Sequence, residues 1–159
     1  MKKLAIINLL VAIVVIILLG VAGAYLQKLV THEPVNAIQL ISTPDCDLSK
    51  APCMAGNNIR NINLKLIPPI NYLKKFDIEL DVKGFTEETI ERVIIDFSMT
   101  DMEMGVSRFE LKQLEGKTQW RGFAILPVCI SGRKDWQIQI FMKTNQNSYI
   151  AHYSLVIEG

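Results

Sequence analysis

Short segments in which apolar and polar residues alternate fill most of the chain after residue 36. In 75–82 (KFDIELDV) the apolar residues alternate with charged ones, and 135–142 (DWQIQIFM) has the same period. A period of two with polar residues on one face is typical of a strand that is buried on one side. The same pattern predicts further strands at 37–42, 59–67, 92–99, 108–114, 119–126 and 149–157.

The residues between these segments favour turns. Turn signals lie at Pro68-Pro69, Lys83-Gly84, Glu115-Gly116-Lys117 and Ser131-Gly132-Arg133. Residues 86–90 (TEETI) are predicted to form a single helical turn with Thr86 as its N-cap. About seven or eight short strands of this spacing predict an all-β fold, an immunoglobulin-like antiparallel β-sandwich.

The N-terminal segment has a different pattern. Residues 4–26 contain no charged residue, and Lys2 and Lys3 stand directly before them. A helix of this length is roughly 34 Å long, enough to cross a hydrocarbon core of about 30 Å. One N-terminal transmembrane helix is therefore expected, with the two lysines on the cytoplasmic side. The alternative is a cleavable signal peptide, because Ala22-Gly23-Ala24 fits an A-x-A cleavage site.

These patterns predict three parts: a membrane anchor or uncleaved signal at 1–26, a linker at 27–36 and a periplasmic β-sandwich domain at 37–159. The expected location is the bacterial inner membrane, with a single pass and the C-terminal domain in the periplasm, so the lipid bilayer is an expected partner. The chain has 17 basic and 16 acidic residues. Without Lys2 and Lys3, which are the only charged residues before residue 27, 15 basic residues remain and the net charge is −1. Nucleic acid is therefore not an expected partner.

Three cysteines bear on the chemistry of this domain. Cys46 and Cys53 lie in a loop-like stretch, and an oxidising compartment predicts a disulfide between them. A redox pair and a pair of thiolate metal ligands are the alternatives, although C-x6-C is the usual spacing of neither. Cys129 is left over. It is a buried small hydrophobe, a bridge partner of Cys46 or Cys53, or a soft metal ligand.

A methionine-rich segment raises the last of these possibilities. Residues 99–105 read MTDMEMG, and in an extended chain Met102 and Met104 point to the same side. Thioethers and thiolates select Cu(I), so Met102, Met104 and Cys129, joined by Met99 or His152, form a candidate copper site. The alternative is that these methionines fill the core. No hydrolase motif is present and the chain has two histidines, so an enzyme is not expected.

The segments MEMG, RFEL, GKTQWRG, LPVC and GRKDWQIQI follow one another along the chain. Together they resemble small bacterial membrane-anchored proteins of the FixH/YtkA-like group. The shared features map to Met104-Gly105 and to residues 109–114, 116–120 and 132–136. The resemblance implies a single-pass anchor, an immunoglobulin-like periplasmic domain and an association with copper supply or with assembly of respiratory oxidases.

Two functions are consistent with these observations. The first is a non-catalytic accessory or interaction subunit of an inner-membrane complex, such as a respiratory oxidase, with other inner-membrane proteins as partners. The second is a periplasmic copper-binding or copper-delivery protein that uses methionine and cysteine ligands. No cofactor is certain, and copper is the candidate.

Overall fold

The computed structural model describes residues 13, 15–18, 20–21, 37–99, 107–115, 118–128 and 132–157. The chain divides into two compact units, Met1–Val35 and Asn36–Gly159. In the first unit, residues 13, 15–18 and 20–21 are helical. Within the described residues, no helix is long and apolar enough to cross a membrane. The transmembrane part of the fold prediction is corrected on this finding. The candidate cleavage site at 22–24 lies outside the described residues.

The second unit is built from β-strands. Its described residues form nine of them: β1 (Ile38–Ser42), β2 (Cys53–Gly56), β3 (Asn61–Ile67), β4 (Lys75–Lys83), β5 (Ile90–Ser98), β6 (Arg108–Gln113), β7 (Gln119–Ile125), β8 (Asp135–Thr144) and β9 (Ser148–Val156). Eight of these correspond to the predicted strands, within a few residues at each end. As expected from the two prolines, β3 ends at Ile67, directly before Pro68.

The strands form a closed barrel in the order β1-β2-β3-β4-β7-β6-β5-β8-β9. The barrel closes through a parallel pairing of β1 with β9, in which Ile38 lies opposite Tyr149 and Leu40 opposite Ala151. The other neighbouring strands are antiparallel. The predicted immunoglobulin-like sandwich is therefore wrong, although the all-β class is correct.

The structure is a barrel and not a sandwich because two strands change partners partway along their length. The first three residues of β1 pair with β9, and Ile41 and Ser42 then pair with β2. In the same way β6 pairs with β5 up to Leu111 and with β7 from Lys112. Strands that switch sheets in this way form the corners that join two sheets. Alternation along a strand shows which residues point inward, but sandwiches and barrels share this pattern, so it did not distinguish them.

Gly122 makes the second corner possible. A Cβ added there would lie 2.5 Å from Cδ2 of Leu111 and 3.2 Å from the carbonyl oxygen of Glu110. The absence of a side chain at Gly122 therefore allows β6 to approach β7 closely where it crosses from β5.

Two local predictions also differ from the structure. Strand β2 was missed because its inward residues, Cys53 and Ala55, are small and lie in a stretch rich in Pro, Asp and Asn. All four residues of β2 pair with β3. The helical turn predicted for 86–90 is a non-helical turn in which the amide of Glu88 donates to the carbonyl of Phe85. The buried side chain of Glu88 has partners far along the chain, and these contacts override local helix propensity.

Inward side chains of every strand fill the barrel. The largest that are fully buried are Trp136, Tyr149, Phe97, Leu40, Ile62, Leu64, Ile78, Leu80, Ile95, Leu111, Leu126 and Ile138. They alternate with outward residues along each strand, as in the BeB pattern of β9. Burial of these apolar side chains is the main contribution to the stability of the unit.

The loop between β1 and β2 is held by a disulfide to β2 and by Asp47 to β9. Cys46 and Cys53 form a disulfide, as predicted, and the alternative pairing of Cys129 with either of them is wrong. Asp47 forms a parallel bridge with Ser154 that extends the pairing of β9 beyond the end of β1. Its carboxylate also accepts hydrogen bonds from the amides of Ser49 and Val156. Partial burial opposes the charge of Asp47, but these hydrogen bonds and Lys50 together lower the pKa of its carboxyl group.

Removal of the disulfide should destabilise the barrel. The double variant Cys46→Ala/Cys53→Ala should lose about 2.5 kcal/mol in the free energy of unfolding, the chain-entropy value for a loop of this length. Denaturant unfolding measures this loss. Reductant should lower the stability of the wild type to that of the variant and leave the variant unchanged. A wild type that is insensitive to reductant would contradict the prediction.

Gly84 and Gly132 form a matched pair for a second prediction. Both have positive φ, 83° and 69°, but a Cβ on Gly84 would lie 1.9 Å from the carbonyl oxygen of Ile59, whereas Gly132 has no described atom within 4 Å of that position. Gly132→Ala should cost about 1 kcal/mol, the strain of a positive φ alone. Gly84→Ala should cost about 3 kcal/mol or more, because backbone must also move. Equal losses for the two variants in thermal or denaturant unfolding would show that the contact with Ile59 is not restrictive.

Candidate functional site

The residues predicted to bind copper do not form a site in the described part of the chain. Met102, Met104 and Cys129 lie outside the described residues. Met99 is only 4% exposed and belongs to the core, and His152 is exposed on β9. Among the described residues, no group of three or more His, Cys, Asp or Glu side chains could hold a metal ion. The copper hypothesis therefore has no support there.

An apolar surface lies at the end of β7. We refer to Leu73, Phe123, Ile125 and Val128 as the β7 surface; their exposed fractions are 68%, 48%, 41% and 55%. The fold brings them together because Ile125 lies opposite Lys75 at the start of β4, and the amide of Leu73 donates to the carbonyl of Leu126 at 2.9 Å. Neighbouring exposed apolar side chains are typical of interaction sites.

Leu73 has an unusual backbone conformation. Its φ is 57°, in the left-handed region that leucine rarely adopts. For a residue with a Cβ this conformation costs about 1–2 kcal/mol, and glycine or asparagine tolerates it better. The side chain is mostly exposed, so burial in the barrel offsets little of this cost. Backbone strain of this kind occurs preferentially at binding sites.

Charged residues lie next to the β7 surface. The ammonium group of Lys75 is 4.1 Å from the centre of the Phe123 ring. Asp77, opposite Phe123 on β4, has no ion pair with another described residue. The next outward residue, Glu79, is paired with both Lys65 and Arg121. The carboxylate nearest the apolar surface therefore has no ion pair within the described residues.

A second apolar surface covers β1 and β2. Ile41, Met54 and Ile59 are 74%, 54% and 73% exposed there. Its neighbours Thr43, Asn57 and Asn58 are uncharged. Uncharged neighbours give no electrostatic indication of a partner, so this surface has less to distinguish it than the β7 surface.

A buried polar network lies at the end of the barrel that holds the turn at Glu88. The Glu88 side chain is 1% exposed and accepts hydrogen bonds from Arg60 at 2.5 Å, Thr144 at 2.6 Å and Tyr149 at 2.7 Å. The guanidinium of Arg60 also lies over the rings of Phe85 and Tyr149, 5.6 and 5.5 Å from their centres. These contacts join three turns that are far apart in sequence.

The neighbours of Glu88 stabilise its negative charge. Burial alone would raise the pKa of its carboxyl group, but the hydrogen bonds from Thr144, Tyr149 and Asn147 and the charge of Arg60 together lower the pKa below its ordinary value. All of these partners therefore stabilise the ionised form of Glu88. A base kept in this state is a poor proton acceptor, which favours a structural role for the network.

A polar cleft lies between the end of β1 and β9, and it brings together Ser42, Asp45 and His152. The Ser42 hydroxyl donates to the backbone carbonyl of His152, not to its imidazole. A nucleophilic serine needs a base within hydrogen-bonding distance, and this contact does not provide one. Ser42 therefore does not have the contacts of an activated nucleophile.

Sequence reasoning missed the β7 surface, although a signal was present. Residues 123–126 (FAIL) are apolar at every position, so both faces of this strand end are apolar. Ala124 and Leu126 are fully buried in the barrel, which leaves Phe123 and Ile125 outside. An apolar run at the end of an otherwise alternating strand therefore indicated an exposed apolar face. The φ of Leu73 had no comparable signal in the sequence.

Comparison with known proteins does not assign the chain to a family. No protein-family model matches it, and no curated protein matches it. The resemblance to the FixH/YtkA-like group therefore stays a prediction.

Three solved structures are distantly similar to the chain. One is an engineered protein, at 10% identity and a TM-score of 0.42 over 60% of this chain and 20% of the other. The second is a DUF3823 family protein from Bacteroides ovatus, at 12% identity and a TM-score of 0.43 over 63% and 56% of the two chains. The third is a conjugative transposon lipoprotein from Bacteroides eggerthii, at 13% identity and a TM-score of 0.33 over 58% and 93%. The match thus spans about a fifth and about half of the first two proteins. Likeness at this level gives no functional argument.

Glu88→Gln tests the network. The variant should lose about 2 kcal/mol in the free energy of unfolding, because the charged hydrogen bonds are weakened and Arg60 loses its partner. Because the pKa of Glu88 is lowered in the folded protein, its contribution is present above the unfolded value of about 4.3 and is lost as the pH falls through the folded value. The stability of the wild type should therefore fall more steeply than that of the variant below about pH 4.3.

Glu87→Gln is the matched control, since Glu87 is exposed. It should change stability by less than about 0.5 kcal/mol. Denaturant unfolding between pH 3 and pH 7 measures both effects. Wild type and Glu88→Gln curves that stay parallel below pH 4.3 would show that the network does not hold the charge.

Proposed function

We propose that Asn36–Gly159 is a non-catalytic binding domain of an extracytoplasmic compartment and that it docks on a protein partner through the β7 surface. The observation that carries the proposal is Leu73, a mostly exposed leucine held in a backbone conformation that disfavours it. The barrel itself gains little from an apolar side chain there. A partner that covers the side chain would gain from it, because burial of apolar surface stabilises association.

The disulfide supports an extracytoplasmic location for the domain. Bridges between cysteines form and persist in oxidising environments and are rare in the cytosol. The Cys46–Cys53 bridge also holds the loop that Asp47 attaches to β9, so it has a structural role in the barrel. A structural bridge of this kind is expected in a secreted or periplasmic domain.

The charges support a protein as the partner. Lys75 and Asp77 place both signs of charge beside the apolar side chains. An apolar centre with a mixed polar rim is typical of protein interfaces. A purely anionic or cationic ligand would leave one of the two charges without a counterpart.

Leu73→Asn should separate stability from binding. Asparagine tolerates a positive φ, so the free energy of unfolding should rise by up to about 1 kcal/mol. Ile41→Asn is the matched control: Ile41 is similarly exposed, but it lies in a strand, and its replacement should give no gain. A loss of stability in Leu73→Asn larger than that in Ile41→Asn would show that the Leu73 side chain serves the barrel itself.

Site-specific photocrosslinking in the producing cell tests docking on the full chain. Photoreactive residues placed at Phe123 and at Val128 should give an adduct of the same mass, identified by mass spectrometry and recovered reciprocally through a tag on the identified protein. Ile125→Asp should abolish it. A photoreactive residue at His152, exposed on β9, is the control. No adduct from the β7 surface, or the same adduct from His152, would overturn the proposal.

A further inference from the structure

We propose that the protein that covers the β7 surface is a second copy of this chain, related to the first by a two-fold axis. This inference rests on the proposed function and names its partner. It comes from the arrangement of Lys75 and Asp77 around the apolar side chains of the surface.

Lys75 and Asp77 are both exposed and lie two residues apart on β4. Their side chains therefore point to the same outer face, about 7 Å apart along the strand. On β7 they stand opposite Ile125 and Phe123 respectively. One positive and one negative charge thus lie beside a pair of apolar side chains.

Within one copy these two charges have incomplete partners. Lys75 contacts the Phe123 ring, and neither Lys75 nor Asp77 forms an ion pair with another described residue. Further along the same face, Glu79 has two cationic partners at 2.6 and 4.0 Å. Lys75 and Asp77, which lie beside the apolar surface, are therefore available for charges of another molecule.

A two-fold axis would satisfy both charges at once. In such an interface the same patch meets itself, so a contact from the first residue to the second is repeated in reverse. Lys75 of each copy would face Asp77 of the other, with Phe123 and Ile125 of the two copies packed beside the two ion pairs. Docking on a partner surface whose charges all have the same sign would instead leave either Lys75 or Asp77 desolvated without a counter-charge, which is costly.

The size of the surface indicates a moderate affinity. Four apolar side chains, each about half exposed, present on the order of 400 Å². A standard interface buries about 800 Å² on each partner, so the polar rim would supply the remainder. The dimer should therefore exchange with monomer over a concentration range accessible in solution.

Sedimentation velocity of the full chain over a concentration series tests the inference through a charge swap. Lys75→Asp alone and Asp77→Lys alone each place like charges opposite one another and should weaken dimerisation about tenfold or more. The double variant Lys75→Asp/Asp77→Lys exchanges the charges within each copy. It should restore the wild-type dissociation constant to within about threefold, because every pair is opposite in sign again.

Lys83→Asp is the matched control, on the same outer face of β4 and about 27 Å from Lys75. It should leave dimerisation unchanged. Because all variants are made in the full chain, any association through Met1–Val35 is common to them.

Two outcomes would overturn the inference: a wild type that gains no dimer with concentration beyond that of Ile125→Asp, or a double variant as dissociated as the single ones. The proposed function would survive either outcome if photocrosslinking at Phe123 and Val128 identified a different protein. It would fall with the inference only if those positions gave no specific adduct.

Discussion

The closure of the barrel depends on the two strands that change partners. β1 leaves β9 for β2, and β6 leaves β5 for β7, so two sheets become one continuous wall. The second change requires the close approach at Gly122, where a side chain would collide with Leu111. Because β6 pairs with β7 at Trp120 and Arg121, Phe123 and Ile125 extend beyond those pairs. The geometry of this corner thus positions the apolar side chains of the β7 surface.

Local patterns predicted the strands well because each strand has an inward and an outward face. The strongly alternating segments that became β4 and β8 are examples, with charged or amide side chains facing solvent. The closure of the barrel could not be predicted in this way. It depends on pairing between Ile38 and Tyr149, more than a hundred residues apart, and a single sequence does not show which strands meet. Strand β2 was hidden because Cys53 and Ala55 give little hydrophobic signal and form a strand mainly by pairing with β3.

The candidate site was harder to predict than the fold. Cys46 and Cys53 could be paired from the oxidising compartment, since they lie in one short loop-like stretch. The β7 surface combines a turn residue, a strand end and a segment that follows the strand, and only pairing of Lys75 with Ile125 makes them neighbours. The buried charge of Glu88 was similarly invisible, because its partners Arg60, Thr144 and Tyr149 lie 28, 56 and 61 residues away. In each case the chemistry comes from contacts that the fold creates.

The parallel pairing of β1 with β9 also fixes where β1 begins relative to the β7 surface. Ile38 lies beside Tyr149, at the end of the barrel that holds the Glu88 network. Strand β4 runs toward that end, so Lys75 and the neighbouring end of β7 lie toward the other. The start of β1 and the β7 surface therefore lie toward opposite ends of the barrel. Changes in the Glu88 network and in the β7 surface therefore affect separate ends of the barrel.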